Sequence, residues 1–318
     1  MQPDINLITI KDNKVLIKKL LEELVLEPRI NALKWSEVTH QTPNLRIGYP
    51  GQHLASLITG IKGRKTGARG DDLEDGTEVK SCSRIDQMDS CKDCKSPVAR
   101  IEIKCSSCGS SNIERKDDSK WLFTIRSEND LKVLTQDVER IFLLLADYPN
   151  FAQQDYDTLR FQSFEIWTNS IRQEKFQEIM TNYYYNIYLQ NKKNNPDDTP
   201  APQNFWPYQY QFYLCNPILT FACTITEAST KPEVTIDHYI EPHINRKNIP
   251  SILMPLNILQ KKEKKLIKDY LQIKKYEDLP ESIDEEMRNK LSLRPPRKRN
   301  ISKKQYNRAS QKNKNIRE

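Results

Sequence analysis

The amino-acid sequence predicts an α/β (α+β) chain from three observations. Amphipathic helical stretches alternate with short β-type runs, nearly all the glycine sits just before one acidic turn, and two C-x-x-C pairs interrupt the chain. At 318 residues the chain is long enough to bury a core without disulfide staples. Hydrophobic residues make up 37% and the mean hydropathy is −0.76. No apolar run approaches the roughly 20 residues a bilayer span needs, and the start Met1-Gln2-Pro3-Asp4 has neither the basic nor the apolar region of a signal peptide. A cytoplasmic location without membrane contact is expected.

In chain order, Leu16, Leu20, Leu21 and Leu24 recur at helical spacing within residues 11–27 and predict a helix that covers a sheet. A second helix is expected after Gly51, through Leu54, Leu57 and Ile58. Seven of the eight glycines lie between Gly48 and Gly76, so conformational freedom is concentrated there. Gly63-Arg64-Lys65-Thr66 lacks the spacing of a phosphate-binding P-loop and reads as a basic loop facing a polyanion. Residues 120–126 read as a strand, 130–146 as a helix ending in the apolar run Ile141–Leu145, and 161–167 as a strand followed by a long helix to about Leu189. Trp206–Phe212 alternates aromatic and other residues as a strand would, with its rings assigned to the core. Two helices are expected in 255–293, the first dense in lysine.

Charge is unevenly spread. The net charge is +7, but residues 294–318 alone carry +9, which leaves the other 293 residues at −2. A phosphate-binding groove in the body must therefore be built by local placement of Arg and Lys, while a basic, disordered tail at 294–318 adds salt-sensitive attraction.

Chemistry concentrates at 71–82. If Leu73 and Val79 are neighbours on antiparallel strands joined by Glu74-Asp75-Gly76, then Val79 points into the core and Glu78 and Lys80 share the other face with Asp72. Two carboxylates and an ammonium on one patch suit hydrolysis of a phosphodiester. The acids hold Mg²⁺, and the lysine orients the attacking water. Asp72, Glu78 and Lys80 are the candidate catalytic residues, with Asp71 the alternative to Asp72. Arg64, Lys65, Arg69 and Arg84, close to this turn, are the candidate DNA contacts.

Cys91, Cys94, Cys105 and Cys108 have the spacing of a structural, tetrahedral Zn²⁺ site, with Gly109 placed for the turn behind the second pair. Four thiolates leave no open position for substrate, so bracing or flanking of DNA is expected rather than catalysis. Lys92, Lys95, Arg100 and Lys104, within the same insert, are its candidates for phosphate contact, with bracing alone the equal alternative. Cys82, Cys215 and Cys223 show no ligand spacing, and His238-x4-His243 reads as two ordinary histidines.

The run Asp72-Leu73 followed by Glu78-Val79-Lys80 resembles the PD-(D/E)xK nuclease motif, with Asp71-Asp72 in place of Pro-Asp. Gly48–Leu54 with Thr59-Gly60 resembles the segment before the catalytic hairpin of MutH-type nicking endonucleases, although Ala55 stands where those enzymes carry a further acid. Gly51–Leu54, Gly70–Leu73, Asp75–Cys82, the cysteine pairs and Asp118–Trp121 together resemble the MamI-type type II restriction endonucleases. That resemblance covers most of residues 40–220. It implies a mixed central sheet flanked by helices with a four-cysteine zinc insert, and a homodimer that cuts both strands of double-stranded DNA at a symmetric site with Mg²⁺. It also implies a cognate DNA methyltransferase in the same system.

On this reading residues 1–250 form the nuclease core with the zinc insert at 88–118, and 251–293 form a helical C-terminal segment. Two other readings remain at this point: a zinc-containing DNA-binding module without catalysis, and a repair nuclease that nicks.

Overall fold

The computed structural model describes residues 1–41, 47–64, 72–100, 102–168, 170 and 173–290. The basic tail at 294–318 lies outside them, as do Asp71, Lys65 and Arg69. In chain order the elements are α1 (Asn13–Leu21), a π-helical continuation (Glu22–Leu26), α2 (Glu27–Thr39), α3 (Gly48–Thr59), β1 (Glu78–Ser83), β2 (Asp89–Cys91), β3 (Pro97–Val98), β4 (Ile113–Glu114), β5 (Trp121–Phe123) and α4 (Glu128–Lys132). There follow β6 (Arg140–Asp147), β7 (Leu159–Trp167), α5 (Glu174–Tyr183), a second π-helical stretch (Tyr184–Tyr188), α6 (Leu189–Asn194), β8 (Gln203–Phe205) and α7 (Tyr210–Leu214). The last are β9 (Ile218–Thr226), β10 (Glu233–Tyr239), β11 (Met254–Pro255), α8 (Lys261–Tyr270), β12 (Ser282–Ile283) and α9 (Glu285–Lys290). No described helix is long and apolar enough to cross a membrane.

The central sheet is mixed, in the order β1-β6-β7-β9-β10. Strands β1 and β6 run parallel, Glu78 opposite Ile141 and Lys80 opposite Leu143. The remaining neighbours are antiparallel. Two parallel neighbours need a crossover, and here the crossover contains the four cysteines, β5 and α4.

Strand β6 explains the two-layered core. Every one of its eight residues is buried. Ile141, Leu143 and Leu145 enter a cluster with Trp121, Phe123, Phe164, Phe176 and Phe212. Phe142, Leu144 and Ala146 enter a second cluster with Ile17, Leu21, Leu54, Ile58, Val79 and Phe221 on the opposite face. The apolar run at 141–145 is thus a strand covered on both sides, not the end of a helix; a continuous apolar run has no period to distinguish the two.

The first helix does cover the sheet, but by a different stripe. Ile17, Leu21 and Val25 are buried, whereas Leu24 is 46% exposed. The π-helical turn at Glu22–Leu26 shifts the helical phase between those residues. Trp206–Phe212 is likewise not a strand: Tyr208 has φ +57°, and α7 begins at Tyr210. Its aromatic core does form, since Phe212 packs against Trp121 with ring centroids 5.7 Å apart. The lysine-rich α8 and the short α9 are present, and Met254, Ile267 and Ile283 from this region join the first cluster. Strands β9 and β10, which complete the sheet, had no counterpart in the sequence reading.

Gly51 shows why one of the clustered glycines is needed. A Cβ there would meet Ser81 of β1 and lie 3.1 Å from Leu144 Cδ2, so α3 packs backbone-close on the strand that carries Glu78 and Lys80. Gly51→Ala should lower the melting temperature, costing about 1–3 kcal/mol. Gly48→Ala meets nothing within 4 Å and should change stability by less than about 1 kcal/mol. Paired thermal and denaturant melts measure both, and equal effects would refute the close approach.

Candidate active site and metal centre

The chain between Asp72 and Lys80 is tighter than a simple hairpin. Gly76 N–H donates to the Leu73 carbonyl at 3.0 Å, and the Thr77 carbonyl accepts from both Asp72 N–H (3.1 Å) and Leu73 N–H (3.2 Å). Leu73 does not pair with Val79. It bridges to Gly63 instead, with Glu74 N–H donating to the Lys62 carbonyl at 2.9 Å and Arg64 N–H to the Asp72 carbonyl at 3.0 Å. The expected pairing fails because only three residues lie between Leu73 and Thr77, whose carbonyl takes the Leu73 N–H and closes a turn before a ladder can form.

The inward placing of Leu73 and Val79 and the placing of Glu78 and Lys80 on the opposite face are nevertheless as expected. Leu73 and Val79 both enter the cluster beneath α3. Glu78 and Lys80 leave by the other face of β1, and the Lys80 ammonium is ion-paired with Glu78 Oε1. Asp72 Oδ2 accepts the backbone N–H of Val79 at 2.8 Å. Its Oδ1 accepts Gln52 Nε2 from α3 at 3.0 Å. Asp72 is thereby tied to the backbone of the residue between Glu78 and Lys80.

Glu78 and Lys80 line a cleft of about 300 Å³ together with Leu122, Thr124, Arg126 and Asp130. Sequence reasoning missed Asp130, which is 8% exposed. Its carboxylate accepts Arg126 N–H at 2.8 Å, and Ser127 Oγ accepts the Asp130 N–H at 3.1 Å. The Ser-x-x-Asp spacing at 127–130 is the available signal, and it marks a helix start.

Of the four candidate DNA contacts, Arg64 and Arg84 are described. Arg64 Nη2 donates to the Glu74 carbonyl at 3.2 Å, beside the turn. Arg84 is ion-paired with Asp117 at 3.0 Å and donates to the Ser119 carbonyl at 3.4 Å, fastening the return of the crossover to the end of β1.

The four cysteines of the crossover converge. Their sulfurs all lie within 4.8 Å of one another, with Cys91–Cys108 at 3.6 Å and Cys94–Cys105 at 3.5 Å. Four sulfurs at about 2.3 Å from a tetrahedral ion stand roughly 3.8 Å apart, so the set fits such an ion. Two matching turns present them. Lys95 N–H donates to the Cys91 carbonyl at 3.0 Å, and Gly109 N–H to the Cys105 carbonyl at 2.8 Å. Both Lys95 and Gly109 have positive φ (64° and 73°), so the first turn accepts a lysine where the second has glycine. Hydrogen bonding from Ser96 lowers the Cys94 thiol to about 6, whereas Cys108, although a backbone bond from Ser110 lowers it, is pushed up to about 12 by Cys94 and Cys91, so the sulfurs titrate as a set.

The module is braced on the sheet rather than hung from it. Arg100, buried, donates through Nε and Nη2 to Asp89 at 2.9 Å each, and its guanidinium lies 5.2, 4.9 and 5.3 Å from the rings of Tyr148, Phe151 and Tyr156. Arg115 joins Asp89 at 2.8 Å. Arg100 is therefore a brace, whereas Lys92, Lys95 and Lys104 are exposed. The other thiols are buried, and burial pushes Cys82 and Cys223 up to about 12 and Cys215 upward as well. His238 and His243 are exposed, and His238 Nε2 bonds the Leu219 carbonyl at 3.1 Å.

Comparison with known proteins agrees with this architecture. The chain is 32% identical over 82 residues to the type II restriction enzyme MamI of Microbacterium ammoniaphilum, a match covering 26% of this chain and 27% of that relative. No solved structure matches the chain. The model of the MamI restriction endonuclease family matches residues 34–257, and the chain belongs to that family.

Proposed function

We propose that the protein is a Mg²⁺-dependent type II restriction endonuclease that hydrolyses phosphodiester bonds in double-stranded DNA at a specific symmetric site and leaves 5′-phosphates. The observation that carries this reading is the bond from Val79 N–H to Asp72 Oδ2, which joins Asp72 to the strand that presents Glu78 and Lys80. Carboxylate oxygens are the hard donors Mg²⁺ prefers, so Asp72 and Glu78 fit the ion, with Asp71 next in sequence as the alternative ligand. When bound, Mg²⁺ neutralises charge that grows on the scissile phosphate. Lys80 orients the attacking water and takes part in moving its proton. Glu78 holds that ammonium on the cleft side of the strand.

Phosphate contacts are assigned to Arg64, Lys65 and Arg69 on the basic approach to the turn, and to Arg84 at the end of β1. The cysteines hold a structural Zn²⁺ that takes no part in chemistry. A homodimer supplies one active site per strand, and a cognate methyltransferase protects the host sites in the cytoplasm. Residues 1–250 make up the nuclease core with the insert at 88–118. The segment 251–293 is accessory, and the tail at 294–318 adds sequence-blind affinity.

Plasmid incubated with protein and Mg²⁺ tests the activity. Discrete double-strand fragments support restriction, nicked circles a repair nuclease, and uncut plasmid with every divalent ion a binding module. Glu78→Ala and Lys80→Ala should each cut at least about 100-fold more slowly while still binding DNA in Ca²⁺; cleavage at the parent's rate refutes the assignment.

Elemental analysis should find one zinc per chain. Because such a site contributes on the order of 10 kcal/mol to folding, chelation or Cys105→Ser should expose 88–118 to limited proteolysis. Protection unchanged by chelation would argue against a structural metal.

A further inference from the structure

A buried charge cluster lies beside the active-site turn, and phosphodiester chemistry makes no use of it. Arg140 opens β6, one residue before the register partner of Glu78. It is 1% exposed. Its Nε donates to Thr77 Oγ1 at 2.9 Å, Nη2 to Asp75 Oδ2 at 3.0 Å and Nη1 to Glu165 Oε1 at 3.3 Å. The guanidinium also lies 4.9 Å from the Trp167 ring. Glu165, wholly buried on β7, accepts Trp167 Nε1 at 2.6 Å and is 3.5 Å from Arg246 Nε.

Burial alone would favour the neutral acid at Glu165, but Arg140 and then Arg246 outweigh it, so the carboxyl stays below its usual range. The cluster thus balances two guanidiniums, Arg140 and Arg246, against two carboxylates, Asp75 and Glu165.

Two of the three side-chain hydrogen bonds of Arg140 go to the turn, not to the sheet. Asp75 and Thr77 are gripped, Asp75 Oδ1 accepts Thr77 N–H at 3.1 Å, and the Thr77 carbonyl holds Asp72 N–H. We infer that Arg140, oriented by Glu165, is a positioning residue that fixes the 75–77 turn and so sets where Asp72 stands relative to Glu78. The inference rests on the catalytic reading above. A planar fork holds several acceptors in one geometry, which a lysine cannot do. Mg²⁺ tolerates little departure from octahedral ligand placement, so a loosened turn acts on the metal before it acts on the fold.

Asp75→Asn and Thr77→Val, made in the full chain with zinc in place, loosen the grip while Arg140 keeps its ion pair with Glu165. On a plasmid that the parent cuts, each should lower kcat at least about tenfold and weaken Mn²⁺ binding by calorimetry about fivefold, with DNA affinity in Ca²⁺ within about twofold. A smaller fall in kcat, or a fall in kcat and DNA affinity in proportion to lost folded protein, overturns the inference. Glu78→Ala in the same assays separates the two levels. If it binds Mn²⁺ and cuts like the parent, the catalytic reading fails; if it loses both while Asp75→Asn keeps both, only the positioning role fails.

Discussion

The parallel pairing of β1 with β6 is the constraint on which the site depends. Strand β6 is sealed on both faces, so the strand beside it inherits two environments, with Val79 facing one core and Glu78 and Lys80 facing the cleft. Among the described residues β1 is the last strand of the sheet, with one edge that no strand pairs. An unpaired edge leaves backbone donors to be satisfied. At Val79 the partner is the Asp72 carboxylate, so one side chain both caps the edge and is tied to the residue that follows Glu78. Moving Asp72 away would leave that amide without its acceptor.

The same pairing accounts for the position of the cysteine module. The link from β1 to β6 must cross from one end of the sheet to the other, and the module is an elaboration of that link. Its attachment uses few residues. Asp89 takes Arg100, Arg115 and the Lys116 N–H, and the guanidinium of Arg100 sits among three rings from the far side of the β6–β7 turn. The module is thereby held at the end of β1 remote from Glu78, and the cysteine cluster and the Glu78–Lys80 pair have separate supports.

Much of this was legible in the residues. The cysteine spacing anticipated the converging sulfurs, and period-two alternation placed Val79 inward and Glu78 with Lys80 outward whatever strand lay opposite. What could not be read depended on contacts distant in sequence. Ile141–Leu145 carries no periodicity, because both faces are buried. Leu73 and Val79 look like a hairpin pair locally, yet Leu73 is claimed by Gly63. Arg84 and Arg100, chosen or considered as phosphate contacts for charge and position, are tied to Asp117 and Asp89 across 33 and 11 residues. Arg140 offered no motif at all, since its partners come from 63, 65 and 25 residues away.

Among the described residues arginine is largely an internal material. Arg29, Arg84, Arg100, Arg115, Arg140, Arg160 and Arg246 are each ion-paired with a carboxylate, and Arg288 bonds Asn216, Ser251 and two carbonyls. A guanidinium suits that work, having five donors in a rigid fork and a weaker hydration shell than an ammonium. Charge spent in this way contributes no attraction for a polyanion, which is why the near-neutral body is less basic toward DNA than its arginine content suggests. For Arg84, contact with a phosphate means exchanging Asp117 for another anion, a trade of like for like that gains little free energy but is sensitive to geometry. Lysines in solvent, such as Lys261, Lys262 and Lys265, contribute instead through counterion release, which is strong at low salt and blind to sequence. Long-range attraction and internal placement therefore fall to different residue types, the first to lysines in solvent and the second to arginines held by partners within the chain.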